Sequence, residues 1–161
     1  MTAFRVAVTS GTGLVRRAGE VVVVVLDPAR APALTGSLLA AVDDTPPERL
    51  FRALGRIVID ADTAPAFGVL VGGVEEPSVF LHGDIGFTAL VGGSEIGGRG
   101  GDSATWLERS IPGPVTRLGV GGDLTAPADE PWTDLREGTA PGSAAWLMTA
   151  AAPSTEASPA T

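Results

Sequence analysis

At 161 residues the chain is one domain's worth, long enough to bury a single sizeable core. Hydrophobic residues make up 44% and charged residues 19%, which excludes a disordered chain and fits a globular one. A formal net charge of −8 repels phosphate backbones and argues against nucleic-acid binding, while the lack of cysteine removes disulfides and thiolate metal sites.

The opening "MTAFRVAVTSGTG" has no apolar core of signal-peptide length behind a basic flank. The longest apolar run, Val21 to Leu26, is far short of the ~20 residues that span a bilayer. A cytoplasmic domain without membrane insertion is therefore expected. Phe4 to Ser10 alternates apolar with small or polar residues and reads as a strand, broken by Gly-Thr-Gly at 11–13. "EVVVVVLD", from Glu20 to Asp27, is the strongest strand signal. Its five valines are stiff at χ1, and a run apolar on both faces belongs in a covered, central strand.

Two helices follow. Leu34 to Val42 places Leu34, Leu38, Leu39 and Val42 on one face. For the second helix, Thr45 is expected to cap the N-terminus, with Pro46 at the first helical position and Glu48 completing a capping box. Leu50, Leu54, Ile57 and Val58, with Phe51, form its apolar stripe, and Arg49, Arg52 and Arg56 line the other side. Those arginines read as a solvated face, with a recognition face as the alternative.

From Ala66 the pattern shifts to short apolar segments, "AFGVLVG", "SVFLHG" and "DIGFTALVG", expected as a meander of antiparallel hairpins. His82-Gly83-Asp84, which holds the only histidine, is expected as a tight turn between two of these strands. Gly92 to Ser103 carries six glycines without the Gly-Lys-Ser/Thr ending of a phosphate loop, so a flexible loop is expected. "ATWLERSI" and "PVTRLGVGG" add two strands. A long connector then leads to a last strand at "SAAWLMTA". Residues 1–149 are expected to form a single globular α+β domain, and 150–161 a disordered tail or linker start. The fold class is an α+β two-layer sandwich: β-β-α-α, then a strand meander in a mainly antiparallel sheet, with the helices on one face.

For chemistry, one histidine without a Gly-x-Ser-x-Gly elbow leaves a Ser-His-Asp triad unsupported. Hard cations such as Mg or Mn prefer carboxylates, and Glu20, Asp27, Asp84 and Asp123 stand at strand ends. Aspartate is also common wherever a strand turns, and that plainer role is favoured. Of the three tryptophans, Trp106 is expected in the core. Trp132, in a polar connector beside Arg136, is a candidate anchor for the connector or a partner-binding hot spot.

Two resemblances bear on these residues. The order "TSGTGLVRRAGEVVVVVLD", two helices, "APAFGVLVGG", then "SVFLHGDIGFTAL" resembles the first half of metal-dependent Ser/Thr protein phosphatases. Gly13 and Arg16 match that family's opening, Glu20 falls near its acidic position, Asp27 matches its metal-ligand aspartate, and Gly83-Asp84 its Gly-Asp hairpin. Glu20, Asp27 and Asp84 would then be the ligands of Mn or Mg in a phosphatase-like hydrolase. "PARAP" after Asp27 and "IGF" after Asp84 depart from the family pattern, which implies a shrunken, degenerate relative. Over most of residues 8 to 148, "GTGLVRRAGEVVVVV", "APAFGVLV", "VFLHGD", "TWLERSIPGPV" and "WTDLREGTAPGSAAWLM" resemble the N-terminal region of actinobacterial proteins that carry a forkhead-associated (FHA) domain. Together with the absence of a complete catalytic constellation in the sequence, that likeness leads to the expectation of a non-catalytic protein-interaction or regulatory module in a signalling context, with no cofactor and a protein or neighbouring domain as its partner.

Overall fold

The computed structural model of the chain describes residues 4–61, 64–103, 105–124 and 134–149. The described elements run β1 (Phe4–Thr9), β2 (Leu14–Ala18), β3 (Val21–Val25), α1 (Pro32–Asp44), α2 (Pro47–Asp60), β4 (Phe67–Val71), β5 (Ser78–His82), β6 (Gly86–Val91), β7 (Ser94–Arg99), β8 (Leu107–Ser110), β9 (Arg117–Gly121), β10 (Gly138–Pro141) and β11 (Ala144–Thr149). Two antiparallel sheets and two helices make the fold α+β. Among the described residues, no helix is long and apolar enough to cross a membrane.

The strands after α2 do not run as one meander. One sheet has the order β1-β11-β9-β6-β7 and the other β10-β2-β3-β4-β5-β8, so the chain passes between sheets several times. His82-Gly83-Asp84 is one such passage. It joins β5 of the six-stranded sheet to β6 of the five-stranded one, where a hairpin was expected. Gly83 takes φ +82°, and the Ile85 N–H donates back to the Gly83 carbonyl at 2.8 Å, a reversal that suits glycine.

The five valines of β3 are all buried, and β3 is flanked by β2 and β4. Because side chains alternate faces along a strand, the run divides between two cores. Val21, Val23 and Val25 cluster with Leu38, Val42, Leu50, Leu54, Phe67 and Phe80, which brings in both helices. Val22 and Val24 cluster with Val6, Leu118, Val120 and Leu147 of the five-stranded sheet.

Three local features differ from the expectation. β2 has no clear sequence pattern, because Arg16 and Arg17 stand in its middle. It pairs with β3 from Leu14↔Val25 to Ala18↔Val21, and its arginines are accommodated by outside partners. Arg16 makes a two-point ion pair with Asp43 of α1, Nε to Oδ1 at 3.1 Å, and the Arg17 guanidinium lies 4.6 Å over the Phe4 ring. Thr45 does not cap α2. Its N–H closes α1 on the Ala41 carbonyl at 3.0 Å, and α2 starts at Pro47 with no side-chain cap bond. A residue before proline is pushed to extended backbone, and Thr45 has φ −107°, ψ 132°. Finally, the glycine-rich 92–103 is not an open loop. Gly92 and Gly93 have φ +57° and +82°, which suits the two-residue turn whose twist matches flanking strands, and β7 returns along β6 from Ser94↔Val91 to Arg99↔Gly86.

Candidate docking groove between a helix and a sheet edge

A concavity of about 660 Å³ lies between α2 and the start of β8. Phe51 and Trp106 form its floor, and beneath them lies Phe80 of β5, which is fully buried. Trp106, just before β8, stacks on that ring with centroids 5.4 Å apart and planes at 21°, and Phe51 of α2 leans on it at 5.5 Å and 54°. These geometries are the offset and tilted arrangements aromatic pairs favour.

The indole reaches α2 because residue 55 is glycine. A Cβ there would lie 2.9 Å from Trp106 Cζ2 and 3.0 Å from Cη2, closer than such atoms approach. Glycine inside a helix costs about 1 kcal/mol relative to alanine, and here it makes room for an aromatic ring.

Helical spacing sets two adjacent stripes of α2 along the groove. Phe51, Gly55 and Ile59 form the apolar stripe. Ile59 is 69% exposed, the one large hydrophobic side chain exposed among the described residues. Glu48, Arg52 and Arg56 form the charged stripe beside it. On the opposite wall, Trp106 donates its Nε1–H to Glu108 Oε1 at 3.3 Å. The groove therefore pairs an aromatic floor with a charged rim.

The residues expected at a metal site are dispersed. Glu20 and Asp27 leave opposite ends of β3, and at about 3.3 Å rise per residue some 20 Å separates them, whereas a two-metal centre needs carboxylates converging on ions ~3.5–4 Å apart. Asp27 is exposed, and its carbonyl accepts the Arg30 N–H at 3.2 Å. Asp84 lies at the same end of the molecule as Asp27, but its carboxylate points outward to Arg99. Among the described residues no group of three or more histidine, aspartate or glutamate side chains could hold a metal. Arg16 is engaged with Asp43. Gly13 has a packing reason, since a Cβ would stand 2.6 Å from the carbonyl oxygens of both Val25 and Gly142.

His82 bonds through Nδ1 to the Thr105 carbonyl at 2.8 Å and tilts against Phe67 at 5.8 Å, tying β5 to the approach to β8. Trp132 lies outside the described residues. Arg136 is described. Its side chain is 90% exposed, with Nε 3.7 Å from Asp134 on the edge of β1.

The residues that build the groove were not singled out together by the sequence pattern. The available signal was Gly55, a glycine in mid-helix, which calls for a close approach by something. The sequence does not say by what. Comparison with known proteins returns no matching family model, no matching curated protein and no matching solved structure.

Proposed function

We propose that the chain is a non-catalytic protein-interaction or regulatory module that docks a protein partner, or a neighbouring domain, in the groove between α2 and β8. The helices then cover one face of the six-stranded sheet and the five-stranded sheet covers the other, leaving the groove at the margin. The observation that carries this reading is Ile59, 69% exposed at the end of an aromatic floor that Gly55 and Trp106 hold open. Exposed apolar surface rimmed by charge is typical of a partner site. The resemblance to FHA-carrying actinobacterial proteins agrees with it and supports a signalling context. The alternative, a phosphatase-like hydrolase taking Mn or Mg, requires carboxylates that stand at opposite ends of β3.

A photo-reactive amino acid at position 59, compared with one at the exposed Glu95 of β7, tests the docking site. A defined protein crosslinked from position 59 alone, and competed by unlabelled chain, is the expected outcome. Identical crosslinks from both positions would refute it.

A further inference from the structure

We infer that two copies of this chain associate through β7, edge to edge and antiparallel, about a two-fold axis at Gly97. This association is independent of what docks in the groove.

Each sheet ends in two strands, and three of these four edges are blunted. β1 already carries residues 134 and 135. The Leu135 N–H donates to the Val6 carbonyl at 2.7 Å, and Asp134 Oδ1 accepts the Val6 N–H at 3.1 Å. β8 and β10 have four residues each, and β10 ends in Pro141, which has no N–H to offer. Short strands and proline are usual ways of blunting an edge. β7 has six residues, no proline, and among the described residues no strand beyond it.

Two bonds fix the direction of its amides. The Gly100 N–H donates to the Ile85 carbonyl at 2.9 Å, so residue 100 faces inward, and by alternation so do Gly98, Ile96 and Ser94. The Leu90 carbonyl accepts from the Thr116 N–H, away from β7, and Leu90 stands opposite Glu95. Glu95, Gly97 and Arg99 therefore turn their N–H and carbonyl groups outward as an unpaired row.

Pairing this row with itself sets Glu95 opposite Arg99 of the second copy, Gly97 opposite Gly97, and Arg99 opposite Glu95. Every outward N–H then meets a carbonyl, and opposite charges face each other at both ends of the ladder. Sliding one strand by two residues, the smallest step that keeps N–H facing carbonyl, sets Glu95 opposite Gly97 or Gly101 and loses both ion pairs. Glu95 is exposed and has no ion pair among the described residues. Arg99 is paired with Asp84, whose side chain is 91% exposed, and a guanidinium has donors enough for a second carboxylate. On the other face, half-buried Ile96 comes to lie opposite Gly98 of the second copy. A Cβ at Gly98 would stand 3.1 Å from both Leu107 and Phe87, so its absence leaves apolar surface for the isoleucine to cover.

Sedimentation velocity on the full chain, at concentrations up to about 1 mM, is expected to show monomer passing to dimer. Glu95→Arg alone and Arg99→Glu alone should each weaken association about tenfold or more, because like charges then face each other. An equimolar mixture of the two variants should recover it, since every facing pair is again opposite in sign. The chain carrying both exchanges should recover it too. Amide exchange followed by NMR should slow at Glu95, Gly97 and Arg99 as concentration rises. A crosslink from position 95 would then join two copies of the chain, a product unlike a partner caught at position 59.

A chain that stays monomeric, association that either variant leaves unchanged, or a mixture that fails to recover it overturns the inference. So does protection at Glu108 and Ser110 of β8 instead, which would assign association to the other edge. Circular dichroism checks that each variant folds. Were Arg99→Glu unfolded, Glu95→Arg and the pattern of slowed amides would still decide the case.

Discussion

The groove beside α2 and the loop end that holds Asp27 and Asp84 are both charged, but their charges stand in different settings. At the loop end each acidic side chain faces water or a single surface arginine, so solvent screens it and little is gained by bringing a ligand near. In the groove, Arg52 and Arg56, which have no ion pair among the described residues, stand with Glu48 and Glu108 beside aromatic surface that sheds water readily. Charge beside apolar surface recognises a partner better than charge alone, because desolvation by the apolar contact strengthens the polar one. The charged groups of the groove are bordered by apolar surface, whereas those of the loop end stand in water.

The largest effect is expected where the groove meets the core. Phe80→Ala removes a fully buried ring that contacts Phe51, Phe67 and Trp106, and should cost about 3–5 kcal/mol in urea unfolding. A cost below about 1 kcal/mol would mean that the floor is not packed as described.

A paired substitution sharpens the point. A Cβ added at Gly36 of α1 meets nothing within 4 Å, so Gly36→Ala should stabilise by up to about 1 kcal/mol through helix propensity. Gly55→Ala meets the Trp106 ring, and overpacking should reverse the sign to a loss of about 1 kcal/mol, with altered tryptophan emission. Both are read from denaturation midpoints. Equal signs would show that the indole does not press on α2.

Asp43→Ala, breaking the half-exposed pair with Arg16, should cost about 0.5–1 kcal/mol at low salt and less at high salt. At the loop end, Asp27→Asn and Asp84→Asn should each change stability by less than about 0.5 kcal/mol and leave any calorimetric response to Mn²⁺ as it is in the unaltered chain. A response abolished by either variant would restore the metal site as the better candidate. Ile59→Ser should also move stability by less than about 0.5 kcal/mol, because the side chain lies mostly in water. Its effect belongs to binding.

The elements legible in the sequence are those with strong local preferences. The valine run of β3, the apolar stripe of α2 and the alternation of β4 to β6 show themselves because β-branching and side-chain periodicity act over a few residues. Less visible were β2, whose two arginines are stabilised by Asp43 and Phe4 from elsewhere in the chain, and β7, whose glycines carry no side-chain pattern.

The site was less visible still. Arg52, Arg56 and Trp106 each stand out in the sequence, but as a polar helix face and a core aromatic some fifty positions apart. Taken alone, the amino-acid order determined the strand-rich α+β character, the two adjacent helices and the buried central strand. Only the tertiary structure decided which sheet each later strand joins, that Glu20 and Asp27 stay apart, and that Gly55 receives Trp106. Pairing between distant strands depends on which edges remain open once the core has formed, and no short window of residues carries that information.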